Sequence, residues 1–350
     1  MFSLVPKYGY ANARTKAMKS KLLEESQVNQ LLAVNSIEEV IELLEETAYQ
    51  QDLVELSQKY SGVELVNRAV DQNFTNTLKK IAKFLPLDGS TTFDVVVEEW
   101  TMQNLKAIIA SKATGIPLNG TGLVTINDEQ HHLSTLSQDN SLDLKKTIRK
   151  LGNLGYGFSQ AFKKIDHEYS SGEIQDFRQI YKQIDDYYYA KLAYTAEHRK
   201  DPTVKSLMLA RINFINVMAV ARLKLAGVSD KDITANIIAG SPKLKRDAVK
   251  LIQKENIDEV VNEIIRTHKL SQEIAEEFKA TKSLVKLEVA LQRKIVQQAL
   301  KVSKVSTLSF AVILAFIYLK QGEASFIKAI AYSTQAGIRE EIKNLVFAVR

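Results

Sequence analysis

A twelve-residue stretch, NLKAIIASKATG from Asn104 to Gly115, comes back twice at nearly constant spacing. NVMAVARLKLAG runs from Asn216 to Gly227 and FIKAIAYSTQAG from Phe326 to Gly337, so the terminal glycines stand 112 and then 110 residues apart. Copies one and three agree at five of twelve positions, copies one and two at four. A period near 110 is far longer than the helical solenoid repeats of about 33 to 47 residues, and it is the size of a small domain. The chain is therefore expected to consist of three similar helical domains, 1–120, 121–229 and 230–350.

Two further signals keep the same order. NSIEEVIELLEET, Asn35 to Thr47, aligns without gaps with ENIDEVVNEIIRT, Glu255 to Thr267, and NSLDLKKTIRKL, Asn140 to Leu151, is a weaker middle copy. An acid followed by large apolar residues at +3 and +7 occurs as Asp71, Phe74, Leu78, as Asp185, Tyr188, Leu192, and as Glu288, Leu291, Ile295. Each repeat stretch ends in glycine because a helix commonly closes on a left-handed residue, which glycine adopts without a Cβ clash. Gly115, Gly227 and Gly337 are the expected structural caps, and Pro117 places the first boundary near residue 120.

The fold class is read as all-α. Five prolines and fourteen glycines, among many Leu, Ile, Ala, Lys and Glu, favour helix. In SIEEVIELLEETAY, Ser36 to Tyr49, Ile37, Val40, Ile41, Leu44 and Ala48 form one helical stripe, and Ser36 with Glu39 predicts a capping box. TFDVVV, Thr92 to Val97, leads into the segment carrying Trp100 and is expected helical, whereas GLVTI, Gly122 to Ile126, lies in a loop and would at most form a short edge. The most apolar segment, Val305 to Leu319, spans roughly 22 Å as a helix against a hydrocarbon core of about 30 Å. It is expected to be a buried helix rather than a membrane span. The opening MFSLVPKYGYANARTKAMK holds no apolar run long enough for a signal peptide, so none is expected in it. There is no cysteine, which excludes disulfides and thiolate metal sites.

Motifs for chemistry are weak. GIPLNGTG has phosphate-loop glycine spacing, but Thr121 stands where the lysine is needed. GNLGYG, Gly152 to Gly157, has no preceding strand and reads as a helix junction. His131 and His132 are adjacent, so they point apart and lack metal-ligand spacing. The pairs Glu98–Glu99 and Asp185–Asp186 do not face each other as catalytic carboxylates must. No metal, cofactor or catalytic residue is expected. In DDYYYAKLAY, Asp185 to Tyr194, the tyrosines are expected at a helix–helix seam. Net charge is +6, shifting from −3 over residues 1–119 to +6 over residues 230–350. Such a gradient can orient a chain on a partner.

These residues carry a family resemblance. YGYANARTKAMKSKLL (Tyr8–Leu23), LLEETAYQQDL (Leu43–Leu53), EWTMQNLKAIIASKATG (Glu99–Gly115), IDDYYYAKL (Ile184–Leu192) and FAVILAFIYLKQGEASFIKAIAYSTQAG (Phe310–Gly337) resemble segments of the C-type stalk proteins of A/V-type rotary ATPases, the counterparts of the d protein of vacuolar ATPases. Thr101 and Asn213 stand where that family has an acid, which Glu323 keeps; Ala110 stands where it has the arginine that Arg222 keeps. The resemblance implies a pseudo-threefold helical funnel without an active site of its own. It implies a central-stalk rotor component of an A-type ATP synthase or V-type ATPase, cytoplasmic and peripheral on the inner face of the membrane. Its partners would be the proteolipid subunits of the membrane rotor ring and the D and F proteins of the central shaft, with ATP synthesis or hydrolysis linked to H⁺ or Na⁺ transport. Partner-binding candidates are Lys106, Arg222 and Lys328, at near-equivalent places in the three copies, and Arg14, Lys16 and Lys19 at the N-terminus. The competing reading is a basic helical nucleic-acid scaffold, drawing on DLKKTIRK (Asp143–Lys150) and SPKLKRDAVK (Ser241–Lys250). The rotor reading expects no nucleic acid. A third, a helical enzyme, would need a cleft with perturbed titratable groups.

Overall fold

The computed structural model describes residues 7–118, 123–124, 133, 135–155, 157–238, 241–305 and 308–337. No strand occurs among the described residues. The helices with described bounds are α1 (Gly9–Lys19), α2 (Glu25–Ala33), α3 (Ile37–Glu45), α4 (Gln50–Leu56), α5 (Gly62–Ala82), α6 (Leu87–Thr114), α7 (Leu144–Gly152), α8 (Ser159–Ser171), α9 (Phe177–Glu197), α10 (Pro202–Leu225), α11 (Asp230–Ala235), α12 (Pro242–Ile252), α13 (Ile257–His268), α14 (Glu273–Thr281), α15 (Val285–Val305) and α16 (Phe310–Ala336).

One arrangement recurs along this order. A helix of 21 residues is followed by a short link and a long helix of 28, 24 or 27 residues: α5–α6, α9–α10 and α15–α16. The acid-plus-apolar signals all fall in the first helix of these pairs, where Phe74, Leu78, Tyr188, Leu192 and Leu291 are buried. The long helices end at glycine: Gly115, Gly227 and Gly337 take φ of +72°, +72° and +71°. At Gly227 the closure is complete, with the Gly227 N–H donating to Lys224 O and Val228 N–H to Leu223 O.

The helix starts follow from local chemistry. Asp201 accepts from the N–H groups of Thr203 and Val204, and Pro202 opens α10 where a missing N–H costs nothing. Ser36 Oγ accepts from Glu39 N–H at 3.2 Å, but the Glu39 carboxylate reaches back to Asn35 N–H at 2.8 Å, one residue before the cap. The same pair of bonds stands 220 residues later, with Glu259 N–H on Asn256 Oδ1 and Glu255 N–H on the Glu259 carboxylate. The stripe beginning at Ile37 stops earlier than its spacing predicts. α3 ends at Glu45, and Ala48 is exposed in the turn that leads to α4. The apolar segment from Val305 is likewise divided. Val305 closes α15, Ser309 caps α16 through Ala311 N–H at 3.0 Å, and residues 310–320 are all buried.

The chain packs as two compact units, Asp71–Leu192 and a discontinuous one made of Met1–Val70 with Ala193–Arg350. The repeat boundaries near 120 and 229 rest on sequence similarity, a different quantity from packing density. In the discontinuous unit a core of Val217, Val220, Val260, Ile264, Phe278 and Leu287 joins α10, α13, α14 and α15. There α1 packs on α16, with Ala11 and Thr15 buried. In the 71–192 unit the buried residues include Phe74 against Trp100, with ring centroids 5.0 Å apart, and Ile148, Phe162, Ile180 and Tyr188. α10 and α16 are the two helices among the described residues long and apolar enough to cross a membrane by composition, yet 83% of the α16 window is buried within the fold.

Candidate functional site

Three kinds of polar constellation stand out against the apolar core. The first is at the end of the family-like acid series. Glu323 on α16 is fully buried. Its carboxylate accepts from Leu23 N–H at 2.6 Å, from the Tyr49 hydroxyl at 2.8 Å and from Lys320 Nζ at 2.8 Å. Lys320 also donates to the Tyr49 oxygen at 2.8 Å, and its ammonium lies 4.2 Å from the Tyr49 ring centroid. Burial pushes the Tyr49 phenol well above its ordinary value, reinforced by the Glu323 charge, by the hydrogen bond to it and by Asp52. A carboxylate and an ammonium in a dry site persist only when their remaining hydrogen-bonding positions are filled, and here each finds more than one partner. The group therefore ties α16 to the chain before α2 and to the start of α4. The other acid-series positions do not repeat it: Thr101 is buried, and Asn213 meets His268, Nδ2 to Nε2, at 3.2 Å.

The second constellation answers what the leading asparagine of the repeat does. Asn104 donates from Nδ2 to Val124 O at 2.8 Å and accepts from Val124 N–H at 3.2 Å. Asn216 treats Ile238 identically, at 3.0 and 2.9 Å. Both side chains are buried, and each pins the chain that follows its own long helix. A side-chain amide suits this task because it offers the same donor–acceptor pair as a neighbouring strand backbone. Leu123 and Val124 are the described part of the stretch read as a short edge; they form no strand, and its other residues lie outside the described ones. So do His131, His132 and Thr121.

The third is a charged seam between α6 and α9 in the 71–192 unit. Lys191 donates to Glu98 at 2.5 Å and Lys106 pairs with Asp185, in antiparallel register. Tyr181 donates to Lys106 O at 2.9 Å, and Lys106 Nζ stands 5.6 Å from its ring centroid. Burial raises the Asp185 carboxyl, which Lys106 partly offsets; burial raises Glu98 against the opposing hydrogen bond and charge of Lys191; burial raises Asp94 too. The tyrosines of Asp185–Tyr194 divide as a seam requires: Tyr188 and Tyr189 are buried, and Tyr187 donates to Gly157 O at 2.9 Å.

The six partner-binding candidates are not held in one unit. Lys106 is half-buried in the seam of the 71–192 unit. In the other unit, Arg14 and Lys16 are exposed on α1, Arg14 donating to the Tyr10 hydroxyl at 3.2 Å, while half-buried Lys19 donates to Ser303 Oγ at 2.8 Å. Arg222 is exposed near the end of α10 and pairs with Glu288 at 2.7 Å. Lys328 is half-buried on α16. Sequence reasoning passed over Tyr49, Lys320, Asn104 and Asn216. The available signal was two charges, Lys320 and Glu323, three apart at the end of a long apolar run, and an asparagine opening two of three repeat copies.

Such a chain is a helical scaffold whose buried polar groups serve internal joints. It belongs to the ATP synthase (C/AC39) subunit family, whose model matches residues 11–345. It is 24% identical over 346 residues to the C subunit of the A-type ATP synthase of Pyrococcus abyssi, covering 97% of this chain and 90% of the relative. The corresponding A-type ATP synthase protein of Thermococcus kodakarensis is 25% identical, covering 96% and 88%, and that of a Desulfurococcus species 26%, covering 97% and 90%.

Proposed function

We propose that this chain is a non-catalytic central-stalk component of an A/V-type rotary ATPase, a socket that passes torque between the membrane rotor ring and the shaft. The observation that carries the reading is the family match over residues 11–345 joined to a fold of recurrent long helix pairs. A torque coupler needs stiffness, and close-packed helices with buried joints supply it, since packed interiors deform little. It needs broad contact with two partners rather than a deep pocket. In this reading the three repeat domains bounded near residues 120 and 229 surround the socket. The ring's proteolipid subunits and the D and F proteins of the shaft are the partners, and the chain works on the cytoplasmic face, peripheral to the membrane. Arg14, Lys16, Lys19, Lys106, Arg222 and Lys328 are the cations proposed to face those partners.

The test is co-purification. The chain, tagged, is passed over detergent-solubilised membranes of its own organism and the bound proteins are identified by mass spectrometry. Ring and shaft proteins should be retained together. Retention of nucleic acid or of an unrelated soluble complex, with neither rotor partner present, would sink the reading.

A further inference from the structure

The basic run SPKLKRDAVK and the acidic run SIEEVIELLEE lie outside the six partner-binding cations and outside the buried joints. Both fold into short amphipathic helices of the discontinuous unit, α12 and α3. α12 turns Leu244, Ala248, Leu251 and Ile252 into the core, and α3 turns Val40 and Leu44. What each leaves outward is charge of one sign. α12 carries Lys243, Lys245, Arg246 and Lys250 against one acid, Asp247, which is half-buried and acts on His268. α3 carries four glutamates and no base, and one of these, Glu39, is engaged with Asn35 N–H.

The free charges form two matching rows. At about 100° per residue, Lys243, Arg246 and Lys250 fall within about 60° of the α12 circumference, at i, i+3 and i+7. Glu38, Glu42 and Glu45 fall within about 60° on α3, at i, i+4 and i+7. Each row is about 10.5 Å long. Read in opposite directions, the two spacings are the same, three residues and then four. Laid antiparallel, the rows set Lys243 against Glu45, Arg246 against Glu42 and Lys250 against Glu38. Glu45 is half-buried and the other five are exposed. None of the six has an ion pair or a side-chain hydrogen bond among the described residues. The other basic run differs: in α7, Arg149 pairs with Asp166 and Lys150 with Asp139. α12 also has no aromatic residue on which bases could stack, which counts against single-stranded nucleic acid.

We propose that the basic row of α12 docks on the acidic row of α3 in a second copy of this chain. Complementarity sets the occupant: α3 offers opposite charges at the reversed spacing, on a helix of similar length, with the row unengaged in its own chain. Exposed ion pairs contribute little singly, so the contact is weak, with a Kd of about 0.1–1 mM at low salt, and screening removes it. If both α3–α12 contacts form at once about a two-fold axis, the pair closes; otherwise copies add head to tail. The assignment does not depend on the rotor reading.

The experiment is sedimentation equilibrium of the full chain, from micromolar to millimolar concentration, at low and at high salt. At low salt the weight-average mass is expected to rise above that of the monomer. High salt should weaken the association at least tenfold. The triple variants Lys243→Glu/Arg246→Glu/Lys250→Glu and Glu38→Lys/Glu42→Lys/Glu45→Lys should each remain monomeric. Combining all six substitutions exchanges the signs at the unchanged net charge of +6, so self-association should return. A wild type that stays monomeric at low salt overturns the proposal, whatever else it binds, duplex DNA and anionic vesicles included. So does association that survives either triple variant, or that the six-fold variant fails to restore. If a reversed variant loses helix by circular dichroism, cross-linking carries the test, because the chain has no cysteine of its own. Pro242→Cys and Glu46→Cys, both at exposed positions, leave the two rows intact. Mixed and treated with a bismaleimide, these two variants should cross-link to each other at least tenfold more than either does alone. Equal yields overturn the contact.

Discussion

Glu323 illustrates how much a single side chain can hold. Its carboxylate takes three donors from three places in the sequence, and the nearest of them, Lys320, has its own charge buried beside it. Glu323→Gln keeps the shape but strands that ammonium, so a loss of about 3–5 kcal/mol is expected by chemical denaturation. Pairing it with Lys320→Met should recover much of the loss, because no charge is then left alone. Tyr49 gives the same site a spectroscopic signature. Its raised phenol pKa contributes stability that is present below the unfolded value near 10 and is lost as pH climbs through the folded one. In an alkaline titration one of the thirteen tyrosines should therefore ionise only together with unfolding, and in Tyr49→Phe that late step in tyrosinate absorbance should vanish. Asn216→Leu should cost about 2–4 kcal/mol, since both backbone groups of Ile238 lose buried partners.

At the scale of elements, the helix ends and the helix contacts respond to different variables. Gly227 has open space around its missing Cβ but a φ of +72°, so Gly227→Ala should cost about 1–2 kcal/mol from backbone conformation alone. A urea midpoint unchanged from wild type would contradict this. The α10–α13 contact depends on a neutral imidazole. His268 Nδ1–H donates to Ile264 O at 3.0 Å and Nε2 accepts from Asn213. Burial depresses its pKa below 6.5, opposed by the Ile264 bond and by Asp247, and aided by Lys294. The contribution of a depressed base is complete above its unfolded pKa and is lost as pH falls through its folded one. Stability of wild type should thus drop between pH 7 and pH 5 more than that of His268→Asn, read from denaturation midpoints. Element existence was legible because apolar periodicity and capping are local: Ser36 caps α3 as its sequence context suggested, and Asp143, Ser229 and Asn256 accept the same kind of backbone bond at the starts of α7, α11 and α13. Element ends were less so. Nothing in SIEEVIELLEETAY marks Glu45 as the last helical residue, because Thr47 bonding to Leu44 O is one option among several for those residues.

For the whole molecule, the raised carboxyls of the 71–192 unit respond to pH in the direction opposite to His268 of the discontinuous unit. In the 71–192 unit, Asp94, Glu98 and Asp185 are raised by burial, so their contribution is full below the unfolded carboxylate values and is lost as pH rises through the folded ones. Carboxyl-carbon NMR should place the Glu98 midpoint above the usual range, and Lys191→Met should move it higher still, since the cation now restraining it is gone. A midpoint that falls in that variant would refute the seam. The long-range order was the least legible part of the sequence. The apolar run from Val305 to Leu319 pointed to a buried helix, but not to the meeting of that helix with residues 23 and 49, because a contact across 274 to 300 positions leaves no local pattern. The repeat exposed similar helix pairs, and it gave no sign that packing would draw residues 1–70 to residues 193–350.

That discontinuous unit has a consequence for how the protein is made. Tyr49 leaves the ribosome 274 residues before the carboxylate that completes its site. At about 5–20 residues per second the wait is about 15–55 s, far longer than local helices take to form. The first seventy residues must stay soluble with their inner face uncovered while the intervening 71–192 unit, contiguous and able to close on its own contacts, is synthesised and folds. The last long helix is then the keystone of translation, and a ribosome that stalls before Glu323 leaves behind a chain with a finished middle and an unfinished beginning.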